Sequence, residues 1–152
     1  MMKRMSCVVM SFAILACAVS TAQSADGDAG SSADVKQERE AGFKANKRDM
    51  ALIKDALSNG DLKAVIAPAN EMAAFGAKIP GLFPPGSGGG FLSGPKDEVW
   101  KDFSGFEQKA KDFQANAQGL ADAAKAGDGN LTLDAYRKVQ ESCAACHKAY
   151  RR

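Results

Sequence analysis

From Asp34 onward the chain repeats at helical intervals. Val35, Gly42, Phe43, Asn46, Met50, Ile53 and Leu57 fall at three- and four-residue spacings, with charged and polar residues filling the opposite face. Asn59-Gly60 marks a stop, since glycine enters the left-handed conformation that ends a helix. Asp61 is placed to cap a second helix, whose inner face reads Leu62, Val65, Ile66, Ala69, Met72 and Ala73. Pro68 interrupts that face, so the pattern predicts either a kink there or a helix that begins at Pro68. Residues 79–95, IPGLFPPGSGGGFLSGP, read as a crossover loop held down by Leu82, Phe83, Phe91 and Leu92.

A third helix is predicted to start at Pro95, with Asp97 and Glu98 complementing its positive end. Its stripe is Val99, Phe103, Phe106, Ala110, Phe113, Ala117, Leu120 and Ala124, with Trp100 beside it. The steps alternate three and four, the period of left-handed helix packing, and the helix should end near Gly127-Asp128-Gly129. Thr132 can cap a fourth helix with Leu133, Tyr136, Val139, Cys143, Cys146 and Tyr150 inward and Arg151-Arg152 closing it. No segment alternates as a strand does. The expected fold is therefore all-α: an antiparallel four-helix bundle over residues 33–152, with a Pro/Gly-rich crossover between helices 2 and 3.

The N-terminus follows a different pattern. Lys3 and Arg4 precede an apolar run from Cys7 to Val19, and small residues follow, with Ser20 and Ala22 set for cleavage. This is the layout of a secretory signal peptide over residues 1–22, with the cut between 22 and 25 and a disordered stretch over 23–32. The run is too short to span a bilayer, so no membrane span is expected. Ile14-Leu15-Ala16-Cys17 is an alternative lipid-attachment box, but the large Leu15 stands where a small residue is usual. Removal of the segment takes two bases and no acid, leaving eighteen of each; the apparent net charge of +2 comes from the signal alone. Nothing remains of the clustered basicity that a nucleic-acid binder shows.

Cleavage also removes Cys7 and Cys17, leaving Cys143 and Cys146. Cys143-Ala144-Ala145-Cys146-His147 is the C-x-x-C-H pattern of c-type haem attachment. Two thiols on one helical turn each add to a vinyl group of the same porphyrin, and the adjacent histidine is held under the iron. A dithiol redox site wants a βαβ context, and a structural zinc site wants four ligands where the processed chain has three Cys and His in total. His147 is the only histidine, so bis-histidine ligation is excluded. Only Met50 and Met72 remain as thioether candidates for a sixth ligand, and both lie on apolar faces that read as core. Residues 128–139 begin like an EF-hand loop but carry Leu133 and Val139 where the loop needs Gly and Glu. There is no nucleophile–base pair or phosphate loop, so no enzymatic activity is expected.

A C-x-x-C-H at the end of a four-helix chain resembles the class II c-type cytochromes, cytochrome c′ in particular. The resemblance rests on Arg39 through Ile53, Phe83-Pro84-Pro85-Gly86, Trp100 and, most specifically, CAACHKAYR over residues 143–151. It implies one covalent haem c with its iron on His147. It also implies that Phe43 stands over the open haem face, where low-spin members carry a methionine and cytochrome c′ carries an apolar residue beside five-coordinate iron. Arg39 would meet a haem propionate, and Arg151 would help to set the proximal side. The family commonly forms homodimers through its first two helices, for which Gly42, Ala45, Ala51 and Ala56 allow close approach.

Two functions fit. One is periplasmic electron transport with a redox partner protein; the other is binding of nitric oxide (NO) or carbon monoxide (CO) at the vacant haem face. A peroxidase would need a distal acid–base histidine, and none is left.

Overall fold

Gly60 and Gly127 take φ of 70° and 75°, the left-handed region open to glycine, and at both the preceding helix stops. Between such stops the computed structural model, which describes residues 32–88 and 94–152, builds five helices. They are α1 (Ser32–Ser58), α2 (Leu62–Lys78), α3 (Glu98–Lys101), α4 (Phe103–Ala126) and α5 (Gly129–Tyr150), with a 3₁₀ turn over Ile79–Leu82. The signal peptide, the stretch up to residue 31, and the packing of Phe91 and Leu92 lie outside the described residues. Among those described there is no strand, only an isolated bridge between Pro95 and Arg151.

The four long helices form the expected bundle, with α1 packed on α2, α2 on α4 and α4 on α5. Ile53, Val65, Met72, Val99, Leu120 and Val139 are fully buried between them. Burial of each such side chain contributes roughly 1.5–3 kcal/mol. α1 and α5 have no comparable mutual packing, and a cavity opens in the space between them.

Four local expectations are corrected. α2 does not start at Pro68: it runs from Leu62, capped by Asp61 whose carboxylate accepts from Ala64 N at 3.1 Å, and continues past a buried Pro68 to Lys78. Burial of the pyrrolidine ring in the core offsets the missing hydrogen bond. The third helix is two helices. Pro95 is bridged to Arg151, α3 is a single turn, and Asp102 (φ −127°, ψ 59°) breaks the axis and caps α4 by accepting from Gly105 N. The break turns Phe103 outward, 38% exposed, although it belongs to the apolar stripe.

The last helix starts earlier than Thr132 would place it. Asp128 caps it by accepting from Asn130 N and Leu131 N, while Thr132 is buried and its hydroxyl donates to Asp128 O at 2.6 Å. A carboxylate satisfies two of the free N–H groups at once, which a hydroxyl at Thr132 does not. With that start, Leu133 faces solvent rather than the core. Gly42 and Ala56, finally, serve the inside of the bundle: a Cβ at Gly42 would collide with the Phe75 ring of α2, and Ala56 is buried in the core.

Candidate haem site

On α5, Cys143, Cys146, His147 and Tyr150 are spaced i, i+3, i+4, i+7 and share one helix face. All four line a cavity of about 710 Å³. The opposite wall is Phe43 and Met50 of α1, and the floor is Val99, Phe106 and Phe113 with Phe83 from the crossover. Both cysteines are half-buried and free. Burial pushes both thiols up, and proximity to Cys146 pushes Cys143 further, so neither has the lowered thiol pKa of a redox-active dithiol. Burial first and the charge of Arg151 second hold the His147 imidazole below its usual range. The residue as a whole is exposed, so this is a bias toward the neutral form, the one that gives a lone pair to a metal.

The Phe43 ring stands opposite His147, with centroids 6.4 Å apart. The two rings are inclined at 63°, an edge-on arrangement within the usual range for aromatic pairs. The volume lies in the range of cofactor cavities. Two thiols and a neutral imidazole on one wall, facing apolar aromatic walls, are the donor set and the surroundings that a covalently held haem needs.

Phe43 is itself held. It meets Phe75 edge-on at 5.2 Å and Phe83 at 6.5 Å, and Phe83 continues to Phe106 at 4.8 Å and thence to Tyr150 at 5.3 Å. Neither Phe75 nor its contact with Gly42 is visible in the face read for the second helix. The available signal was that Phe75 lies three residues beyond Met72.

Arg39 lines the cavity but is 5% exposed and largely committed elsewhere. Its guanidinium donates to Leu82 O (3.2 Å), Ser87 Oγ (3.3 Å) and Ser87 O (2.9 Å), and it lies 4.5 Å over the Phe83 ring. Three of its five donors are thus spent on the crossover, and at most two remain for a propionate. Ser87, buried at 3% exposure, is a partner the sequence did not announce. Trp100 does similar work from the other side, donating its indole N–H to Phe83 O and Pro84 O. Arg151 is exposed and lies on the cavity wall beside His147.

The end of α5 is fastened to the exit of the crossover. Lys96 N donates to Tyr150 O at 2.8 Å, Arg152 N to Gly94 O at 3.0 Å, and Tyr150 Oη to Asp102 Oδ2 at 2.9 Å. Asp102 therefore caps α4 with one oxygen and anchors the haem-site helix with the other.

Comparison with known proteins agrees with this geometry. The family model described as Cytochrome C′ matches residues 34–151. A cytochrome c′ of Alcaligenes xylosoxydans xylosoxydans is 43% identical over 70 residues, which are 46% of this chain and 53% of the relative; the chain thus spans about half the length of that relative. The crystal structure of cytochrome c′ from Thermochromatium tepidum superposes with a TM-score of 0.73 at 29% identity, covering 80% of this chain and 97% of that one. A cytochrome c′ with ligand-controlled dimer dissociation gives 0.72 at 27% identity, with the same coverage. Variants of the Alcaligenes xylosoxidans protein in complex with NO and with CO give 0.70 at 28% identity, covering 80% of this chain and 95% and 96% of theirs.

Proposed function

The chain belongs to the cytochrome c′ family, which carries covalent haem c, and on that premise we propose that it is a periplasmic electron carrier with one haem on Cys143 and Cys146 and iron ligated by His147 alone. The observation that carries this reading is the pairing across the cavity: a neutral imidazole on one wall and a phenyl ring, which has no lone pair, facing it at 6.4 Å. A bound haem would supply an iron that changes oxidation state by one electron and can take small ligands. His147 would hold that iron through its nitrogen, and Arg151 disfavours protonation of the imidazole. Phe43, wedged by Phe75 and Phe83, keeps water and polar groups off the opposite face. Arg39 and Trp100 pin the crossover, and with it Phe83, against the cavity. A spectroelectrochemical titration should show a single reversible one-electron step with one haem per chain. Two steps, or none, would contradict the assignment.

A second reading has its own observation. An apolar Phe43 without a hydrogen-bond donor disfavours oxygen, which gains from a polar donor, and admits NO and CO. Relatives of the same fold are known as complexes with both gases. We take gas binding as the alternative role of the same site. Of the four small residues of α1 read for a dimer face, the exposed Ala51 and the half-buried Ala45 leave a face for a homodimer.

No helix among the described residues is long and apolar enough to cross a membrane. Export is supported by the residue pattern of the first 22 positions. N-terminal sequencing of the purified protein should find a mature chain starting between Gln23 and Asp26, whereas a lipidated Cys17 would replace the exported soluble form with an anchored one.

A further inference from the structure

The mouth of the haem cavity is edged by cations. Lys36, Lys44 and Lys47 come from α1, Lys109 from α4 and Arg151 from the end of α5, while Glu40 is the one carboxylate among the described lining residues. The pairs that do form are loose: Lys36 to Glu40 at 3.9 Å and Lys109 to Asp112 at 3.8 Å, both exposed, a geometry that contributes little. Among the described residues no carboxylate lies within ion-pair distance of Lys44, Lys47 or Arg151. The two propionates of a haem neutralise two of these charges and leave an excess. Since bases and acids balance over the processed chain, that excess belongs to this face rather than to the protein as a whole.

We infer that this rim is a docking surface for an acidic protein, the redox partner of the haem. The inference rests on the electron-carrier reading above and names the chemistry of the partner. Lys36 to Lys47 alone span about 16 Å of helix, and further cations stand on two other elements. That breadth matches an extended acidic face better than a small anion, and it surrounds the opening through which an electron must pass. A cationic face raises encounter rates with an acidic partner and loses that advantage as salt screens it.

The test follows oxidation of the ferrous holoprotein in a stopped-flow instrument by two probes of opposite charge, hexacyanoferrate(III) and tris(phenanthroline)cobalt(III). Raising salt from about 10 mM to about 150 mM should slow the anionic probe about tenfold and leave the cationic probe unchanged or faster. Lys44→Glu/Lys47→Glu should abolish most of that salt slope. Lys63→Glu/Lys125→Glu, which moves the same charge away from the mouth, should preserve it. Poly-L-glutamate should block the anionic probe saturably in the wild type and not in the Lys44/Lys47 variant. Oxidation by both probes with no salt dependence would overturn the docking surface and leave electron transfer intact. Failure of both probes to oxidise the protein would remove the carrier reading itself. Protection by phosphatidylglycerol vesicles but not by poly-L-glutamate would assign the face to a lipid surface and refute an acidic protein.

Discussion

Serine at both Cys143 and Cys146 lowers the covalently attached haem from one per chain to none. Acid-acetone treatment of the denatured wild type should leave all pigment on the polypeptide, with one haem added to its mass; the double variant should release all of it. Each single variant should keep one thioether and accumulate less holoprotein. The expectation follows from the cavity: both thiols lie one turn apart on the wall that also carries His147. Without the two bonds, the iron–imidazole bond and apolar burial alone must retain the cofactor. The variants should also lose thermal stability, because the cavity between α1 and α5 is closed by what it binds, and a ligand that binds only the folded state stabilises it. Extraction of free haem from the wild type would refute the attachment.

Phe43→Ala should speed CO association by about tenfold. In the folded protein the ring is wedged against Phe75 at 5.2 Å and Phe83 at 6.5 Å. A ligand that needs the ring to swing aside breaks those contacts, each worth about 0.5–1.5 kcal/mol, and 1.4 kcal/mol of barrier is about tenfold in rate. Flash photolysis of the ferrous CO form measures this directly, and an unchanged rate would mean that Phe43 does not cover the ligand face. Phe43→Met puts a thioether where the ring was and should move the ferric iron toward a six-coordinate, low-spin state.

The helix faces were legible because burial imposes a 3.6-residue period on each helix separately. Cys143, Cys146 and His147 were legible because their chemistry lies within five consecutive residues. What escaped depends on partners far along the chain. The break at Asp102 is stabilised by Tyr150, 48 residues away, and nothing in the stripe from Val99 to Ala124 marks it. Arg39 carries the register of the haem site by resemblance, yet most of its hydrogen bonds go to Leu82 and Ser87, which the loop's composition could not single out. Phe75 is aimed at Phe43 by the space that Gly42 leaves, a fit between two helices that neither helix shows alone. The cationic rim was hidden for a related reason: outside residues 1–22 eighteen bases balance eighteen acids, and only the fold gathers one sign around the cavity.

Five-coordinate iron requires His147 to be its sole protein ligand, with Phe43 opposite it. Electron paramagnetic resonance and near-infrared spectra of the ferric wild type test this together. The predicted result is a predominantly high-spin, five-coordinate ferric haem without a methionine–iron charge-transfer band. A low-spin signal with that band would place Met50, the one methionine among the described lining residues, over the iron and contradict the assignment of Phe43 to the ligand face.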